Sequence, residues 1–150
     1  GIDIICAADV RVCSSEAMFS ARAVRIGIVE DMGSLQRLPA IIGEGAAREL
    51  CLTGEDFGAA RAAALGLVNH VDDTPEAALV HANLIAQRIA ANPPLTVQGV
   101  KRVMNERAHA AMRESLHYTA LWNAAFMQSR DFAEAMSAFA EKREPRFEGR

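Results

Sequence analysis

Two adjacent carboxylates, Glu30 and Asp31, stand between Gly27 and Gly33 in an otherwise apolar run. That run leads into the helix-like pattern Ser34-Leu35-Gln36-Arg37-Leu38-Pro39. A carboxylate in this place lies near a helix N-terminus and partly out of water. Burial raises its pKa and the helix dipole lowers it, and a carboxylate tuned between the two can move protons. Asp31 is the candidate for that role, because an acid in so apolar a context needs a reason. Glu30 beside it is read as a solvated or ion-paired loop residue. Asp3 is a second candidate acid, with a cap or a salt bridge as its plainer use. Gln36 and Arg37 look structural, Arg37 as a partner for carbonyls or a carboxylate. Gly27, Gly33 and Gly54 serve backbone geometry.

The elements that must position these acids are short at first and longer later. Residues 1–9 read as a short, mostly apolar helix. Being apolar all round, it must be buried against other structure, and its abrupt start leads us to expect a cut inside a larger domain. Residues 10–13 are β-branched and strand-like, ended by Ser14-Ser15-Glu16 as a turn. Residues 17–20 are a second strand candidate, and 21–29 is a short apolar run that period alone does not type. Helices are expected over 34–42, 45–53 and 58–65, stopped at Gly43, Gly54 and Gly66, and a strand over 67–71. From residue 74 the chain is mostly helix. Thr74 is an N-cap with Pro75 at the first helical position. Asn92-Pro93-Pro94 breaks that helix and starts the next, along 97–104. Further helices are expected over 110–128 and 131–142, with Pro145 ending the last. On that last helix Phe132, Met136 and Phe139, with Ala135, form a stripe that packs either within the chain or on a partner subunit. The chain thus divides into short α/β units over 1–72 and a helical region over 73–150.

Composition narrows the function. The chain is 51% hydrophobic and 23% charged, with a net charge of −3. This balance gives no electrostatic case for nucleic acid, and no apolar run approaches the roughly 18 residues of a membrane span. No basic leader precedes the first apolar run, which Asp3 interrupts, so a soluble, cytoplasmic protein is expected. Cys6, Cys13 and Cys51 lack metal-ligand spacing and read as small hydrophobes in a reducing compartment. His70, His81, His109 and His117 are scattered, so no metal site is expected. Tyr118 and Trp122, four apart on one helix, read as packing.

Taken in order, several stretches resemble the crotonase superfamily, the enoyl-CoA hydratase/isomerase group. Gly1-Ile2-Asp3-Ile4 is similar to the end of its Gly-Gly-Gly-x-(Glu/Asp)-(Leu/Ile) motif, and Ala8-Asp9-Val10-Arg11 to the (Cys/Ala)-Asp-(Ile/Val)-Arg that follows. Gly33-Ser34-Leu35-Gln36-Arg37-Leu38-Pro39 resembles Gly-(Gly/Thr)-x-Gln-Arg-Leu-Pro. Leu52-Thr53-Gly54 and Ala63-Ala64-Leu65-Gly66-Leu67-Val68-Asn69 resemble Leu-Thr-Gly and Ala-x-x-x-Gly-Leu-Val-Asn. Phe139-Ala140-Glu141-Lys142-Arg143-Glu144-Pro145-Arg146-Phe147 resembles the family's terminal segment. Any one match is weak, but the set keeps family order along the whole chain.

Within the group the resemblance is closest to Δ3,5-Δ2,4-dienoyl-CoA isomerases. It implies an α/β fold, the crotonase-like ββα spiral, of which 1–72 would be the C-terminal part and 73–150 a helical trimerisation region. Those isomerases carry three acids here. Asp3 matches the first and Asp31 the third, where ordinary hydratases usually have glycine. The second, a glutamate four residues before the glycine that Gly27 matches, is Ala23 in this chain. The resemblance implies acyl-CoA double-bond isomerisation through a proton shuttle. An oxyanion hole, whose donors lie upstream of Asp3 in the family, stabilises the thioester enolate. Loss of one acid/base group typically slows such a reaction by about 10²–10⁴-fold, so impaired activity is expected, with Asp31 alone, Glu30 or a water in the missing role. The alternatives are an enoyl-CoA hydratase, which also needs the acid that Ala23 replaces, and a non-catalytic acyl-CoA-binding protein. By the same resemblance Phe139 would approach the adenine end of CoA and Lys142 its phosphates. No cofactor is implied, since coenzyme A is part of the substrate, and the expected assembly is a homotrimer or hexamer.

Overall fold

A computed structural model describes residues 1–149, with side chains at all of them except 106–111 and 113. His109 falls outside the described side chains. The elements run α1 (Ile2–Cys6), β1 (Val12–Ser14), β2 (Met18–Ser20), a 3₁₀ turn (Arg22–Ile26), α2 (Ser34–Ile42) and α3 (Glu44–Thr53). Then come β3 (Asp56–Gly58), α4 (Ala59–Ala64), β4 (His70–Asp72), α5 (Pro75–Ala90), α6 (Pro94–Phe126) and α7 (Arg130–Glu141).

The strands make two small ladders. β1 pairs in parallel with β4, Cys13 opposite Val71, and β2 pairs antiparallel with β3, Phe19 opposite Phe57. The two phenyl rings stack with centroids 5.6 Å apart. β3 was not among the expected strands, and the reason is physical. In Asp56-Phe57-Gly58 only Phe57 is apolar, so no alternation shows. Pairing with β2 and burial of Phe57 make the strand. The core lies where α2 packs between α1 and α3, and Phe57 of β3, Ala62 of α4 and Leu67 close over it. Leu38, Leu50 and Leu67 are fully buried there, each contributing about 1.5–3 kcal/mol relative to exposure.

Two expectations need correction. α1 is one-sided rather than buried all round, since Ile2 and Cys6 face the core and Ile4 is 70% exposed. The helices expected along 97–104 and over 110–128 are one helix, α6. Nothing between residues 104 and 110 breaks it: Glu106, Arg107 and Ala108 are strong helix formers and no proline intervenes. α7 ends where expected, capped by Lys142, which takes the left-handed conformation with φ 54° three residues before Pro145. The tail then folds back along α7. Arg143 grips Glu134 with two nitrogens at 2.5 and 2.9 Å, and that guanidinium holds the Glu134 carboxyl down at about 2.

The stripe on α7 splits. Ala135 and Ala138 are buried, Phe132 and Ala135 lie against Gly27 after the 3₁₀ turn, and Met136 and Phe139 face outward. On α6, Tyr118, Trp122 and Phe126 form an exposed ring ladder, centroids 6.1 and 4.8 Å apart, instead of packing inside. Among the described residues no helix is long and apolar enough to cross a membrane.

Candidate active site

The loop 27–33 and the first turn of α2 carry the acids. Gly33 caps α2 with φ +94°, and the Arg37 guanidinium occupies the space a Cβ would take there. The positive φ favours glycine there, and the lack of a side chain leaves room for the guanidinium. Arg37 also donates to the Met32 carbonyl at 3.1 Å, closing the loop onto the helix. At the other end the buried Asn123 of α6 clamps Val29. Its Oδ1 accepts from the Val29 N–H at 3.1 Å and its Nδ2 donates to the Val29 carbonyl at 2.8 Å. The loop is therefore held at Val29, immediately before Glu30, and at Met32, immediately after Asp31.

Within it the two neighbouring acids part company. Glu30 is 8% exposed, so it is not the solvated residue expected from its type. Its Oε2 accepts a 2.5 Å hydrogen bond from the hydroxyl of Ser34, which is itself fully buried. The Ser34 backbone N–H, one of the free donors of α2's first turn, donates to Asp3 Oδ1 at 3.2 Å. One serine thus joins Glu30 to Asp3, bringing the first turn of α1 against the first turn of α2. Burial pushes the Glu30 carboxyl above the ordinary glutamate range; the Ser34 hydroxyl pulls it part of the way back, and the charge of Asp3 adds to the rise. Burial likewise lifts the thiols of Cys6 and Cys51 to about 11, with Glu30 and Asp3 adding to both. The cysteines are free.

Asp31 is exposed, and its carboxylate has no hydrogen bond or ion pair to the described residues. Ala23 sits in the 3₁₀ turn, where its carbonyl accepts from the Ile28 N–H at 3.0 Å. Phe139 and Lys142 are both exposed at the far end of α7, and Lys142 has no ion pair with Asp3, Glu30 or Asp31. The structure thus joins Asp3 to Glu30, leaves Asp31 open beside them and keeps the α7 pair apart. Sequence reasoning missed Ser34 and Asn123. Ser34 follows a glycine at a helix start, a signal for capping but not for bridging two acids. Asn123 lies 94 residues from its partner and carries no local signal. Away from this region His81 Nδ1 sits 3.1 Å from an Asp72 carboxylate oxygen. Among the described residues no group of three His, Cys, Asp or Glu side chains is placed to hold a metal ion.

The order of elements, the acid-bearing loop and the glycine-capped α2 define a crotonase-like arrangement. The chain belongs to the enoyl-CoA hydratase/isomerase family, whose model matches residues 1–150. Among curated proteins it is 44% identical to the mitochondrial Delta(3,5)-Delta(2,4)-dienoyl-CoA isomerase of Dictyostelium discoideum. The match covers 98% of this chain and 50% of that protein. It is 42% identical to the peroxisomal protein of the same activity from Arabidopsis thaliana, covering 98% of this chain and 53% of the relative. The chain therefore spans about half the length of these curated relatives. Its fold matches the crystal structure of an enoyl-CoA hydratase/isomerase from Pseudoalteromonas atlantica T6c, with a TM-score of 0.92 and 27% identity. That match covers 99% of this chain and 59% of the other.

Proposed function

We propose that the full-length protein carrying this chain is an acyl-CoA double-bond isomerase acting on dienoyl-CoA thioesters. The observation that carries the reading is the pair of adjoining acids at the α2 N-terminus, one open to a substrate and one buried. Environments that push two carboxylates apart assign them different proton-transfer duties. Asp31, open and unpaired, is suited to take a proton from the carbon α to the thioester. Asp3, bonded to Ser34, is suited to orient the site. The similarity to two dienoyl-CoA isomerases supports this choice over hydration. Hydration is the weaker reading, because Asp31 stands where hydratases usually carry glycine; Ala23 replaces an acid that both reactions use. Ala23 equally keeps open a non-catalytic acyl-CoA binder.

Phe139 and Lys142 are offered as contacts for the adenine ring and phosphates of CoA, supported by their exposure at the end of α7. Lysine binds phosphate as a point charge. The reaction calls for no cofactor beyond the CoA carried by the substrate. A homotrimer or hexamer is the proposed assembly. A reducing, cytoplasm-like compartment is supported by the three free cysteines, although the two relatives named above are mitochondrial and peroxisomal.

The test is to assay the full-length gene product with 3,5-dienoyl-CoA and with 2-enoyl-CoA. The expected result is conversion to the conjugated 2,4-diene, seen as new ultraviolet absorbance, with little hydration of the enoyl thioester. Binding of a CoA ester with neither reaction would establish the binder instead.

A further inference from the structure

We propose that Glu30 is the proton donor of this reaction and fills the role left open by Ala23; the inference rests on the isomerase reading above. Four observations lead to it. Glu30 is buried, although an acid has no reason to leave water without a use or a partner. Its partner is a neutral hydroxyl, not a cation: Ser34 Oγ holds Oε2 at 2.5 Å and leaves Oε1 to carry a proton. The loop that bears it is fixed by Asn123 at Val29 and by Arg37 at Met32, so its position is set before substrate arrives. And it adjoins Asp31, the open carboxylate that is ready to act as base.

The side chains facing Glu30 from neighbouring elements are Asp3 and Cys6 on α1, Ser34 on α2 and Cys51 on α3. None of these is cationic, and the two thiols are neutral at ordinary pH. This setting favours a protonated carboxyl, the form an acid catalyst needs.

The transfer balances. Asp31 accepts the proton from C2, and that C–H pair becomes the C2=C3 double bond. The C3=C4 pair moves to C4=C5, and the C5=C6 pair forms a new C6–H bond with the proton from Glu30. The 3,5-diene has become the 2,4-diene, Asp31 is protonated and Glu30 ionised. Exchange with solvent, which reaches Asp31 directly, returns both to their starting forms.

The experiment compares the full-length protein with Glu30→Gln, Ser34→Ala and the double variant Glu30→Gln/Ala23→Glu on 3,5-dienoyl-CoA across pH. Glutamine is the neutral isostere of the protonated acid and keeps the Ser34 bond. We expect Glu30→Gln to lower kcat by about 10²–10⁴-fold, to leave KM within about twofold, and to abolish the alkaline limb of kcat. The added Ala23→Glu should recover about tenfold or more, on the scale of an acid catalyst. Ser34→Ala removes the bond that lowers the Glu30 pKa, so the alkaline limb should move to higher pH. A buried glutamate with only a structural role would move neither limb. Retention of kcat in Glu30→Gln within about threefold, or an alkaline limb unmoved in Ser34→Ala, overturns the role of Glu30 while isomerisation stands. Absence of turnover in the unsubstituted protein overturns the isomerase reading and this role together.

Discussion

At the scale of single residues, Glu30 and Asp31 show that two acids one peptide apart can have opposite surroundings. In a loop, the direction of a side chain follows φ and ψ rather than residue type, so reading acids by type favoured Asp31 and left Glu30 in solvent. The burial of Glu30 has a stability consequence whose sign is fixed by the raised pKa. Below the unfolded value, about 4.3, both states hold the proton and stability is full. As pH rises the unfolded state releases its proton first, so stability falls until pH passes the folded value. Glutamine does not titrate. The melting temperature of Glu30→Gln should therefore match the unsubstituted protein near pH 4 and exceed it at higher pH, by a gap that grows until pH passes the folded value and then levels off. Thermal melts across that range check this, and a gap that is constant with pH would count against a buried, titrating Glu30.

At the scale of elements, α2 was the most legible part of the chain. Its start, its end at Gly43 and the Arg37 contact to a carbonyl all follow from local patterns, and so do Thr74 and Pro75 at the head of α5. The 3₁₀ turn and β3 were not legible, because both are too short for a period to show. The attachment of α6 to the loop was invisible for a different reason: it depends on Asn123 reaching a backbone far away in sequence. Asn123→Leu leaves the N–H and the carbonyl of Val29 without partners in a half-buried place. It should destabilise the protein by about 2–5 kcal/mol, read as a lower urea midpoint at unchanged slope. If the loop positions the acids, turnover should fall as well, even at temperatures where the variant is fully folded.

At the scale of the whole molecule, the outward face of the helical region stands out. Tyr118, Leu121, Trp122 and Phe126 on α6, and Met136 and Phe139 on α7, are exposed apolar groups on neighbouring turns. Exposed apolar groups gathered on a surface are a feature of interaction faces, and the use proposed for these is the homotrimer or hexamer. Light scattering on the full-length protein should give a mass of three or six protomers; a single-protomer mass would remove that proposal. The stripe on α7 illustrates how one helix can serve two surfaces: Phe132, Ala135 and Ala138 pack within the chain, while Met136 and Phe139 turn away.

The sequence by itself determined the class of the protein and the order of its main elements. Apolar periodicity, helix-ending glycines and prolines are local, and the family motifs are strings of neighbours. It also marked the two acids at Asp3 and Asp31 and the missing one at Ala23. Only the tertiary structure decided which carboxylate leaves water, which serine joins two acids, and which asparagine holds the loop. Those choices depend on side-chain direction and on contacts between residues distant in the chain, and neither is written in residue type or spacing.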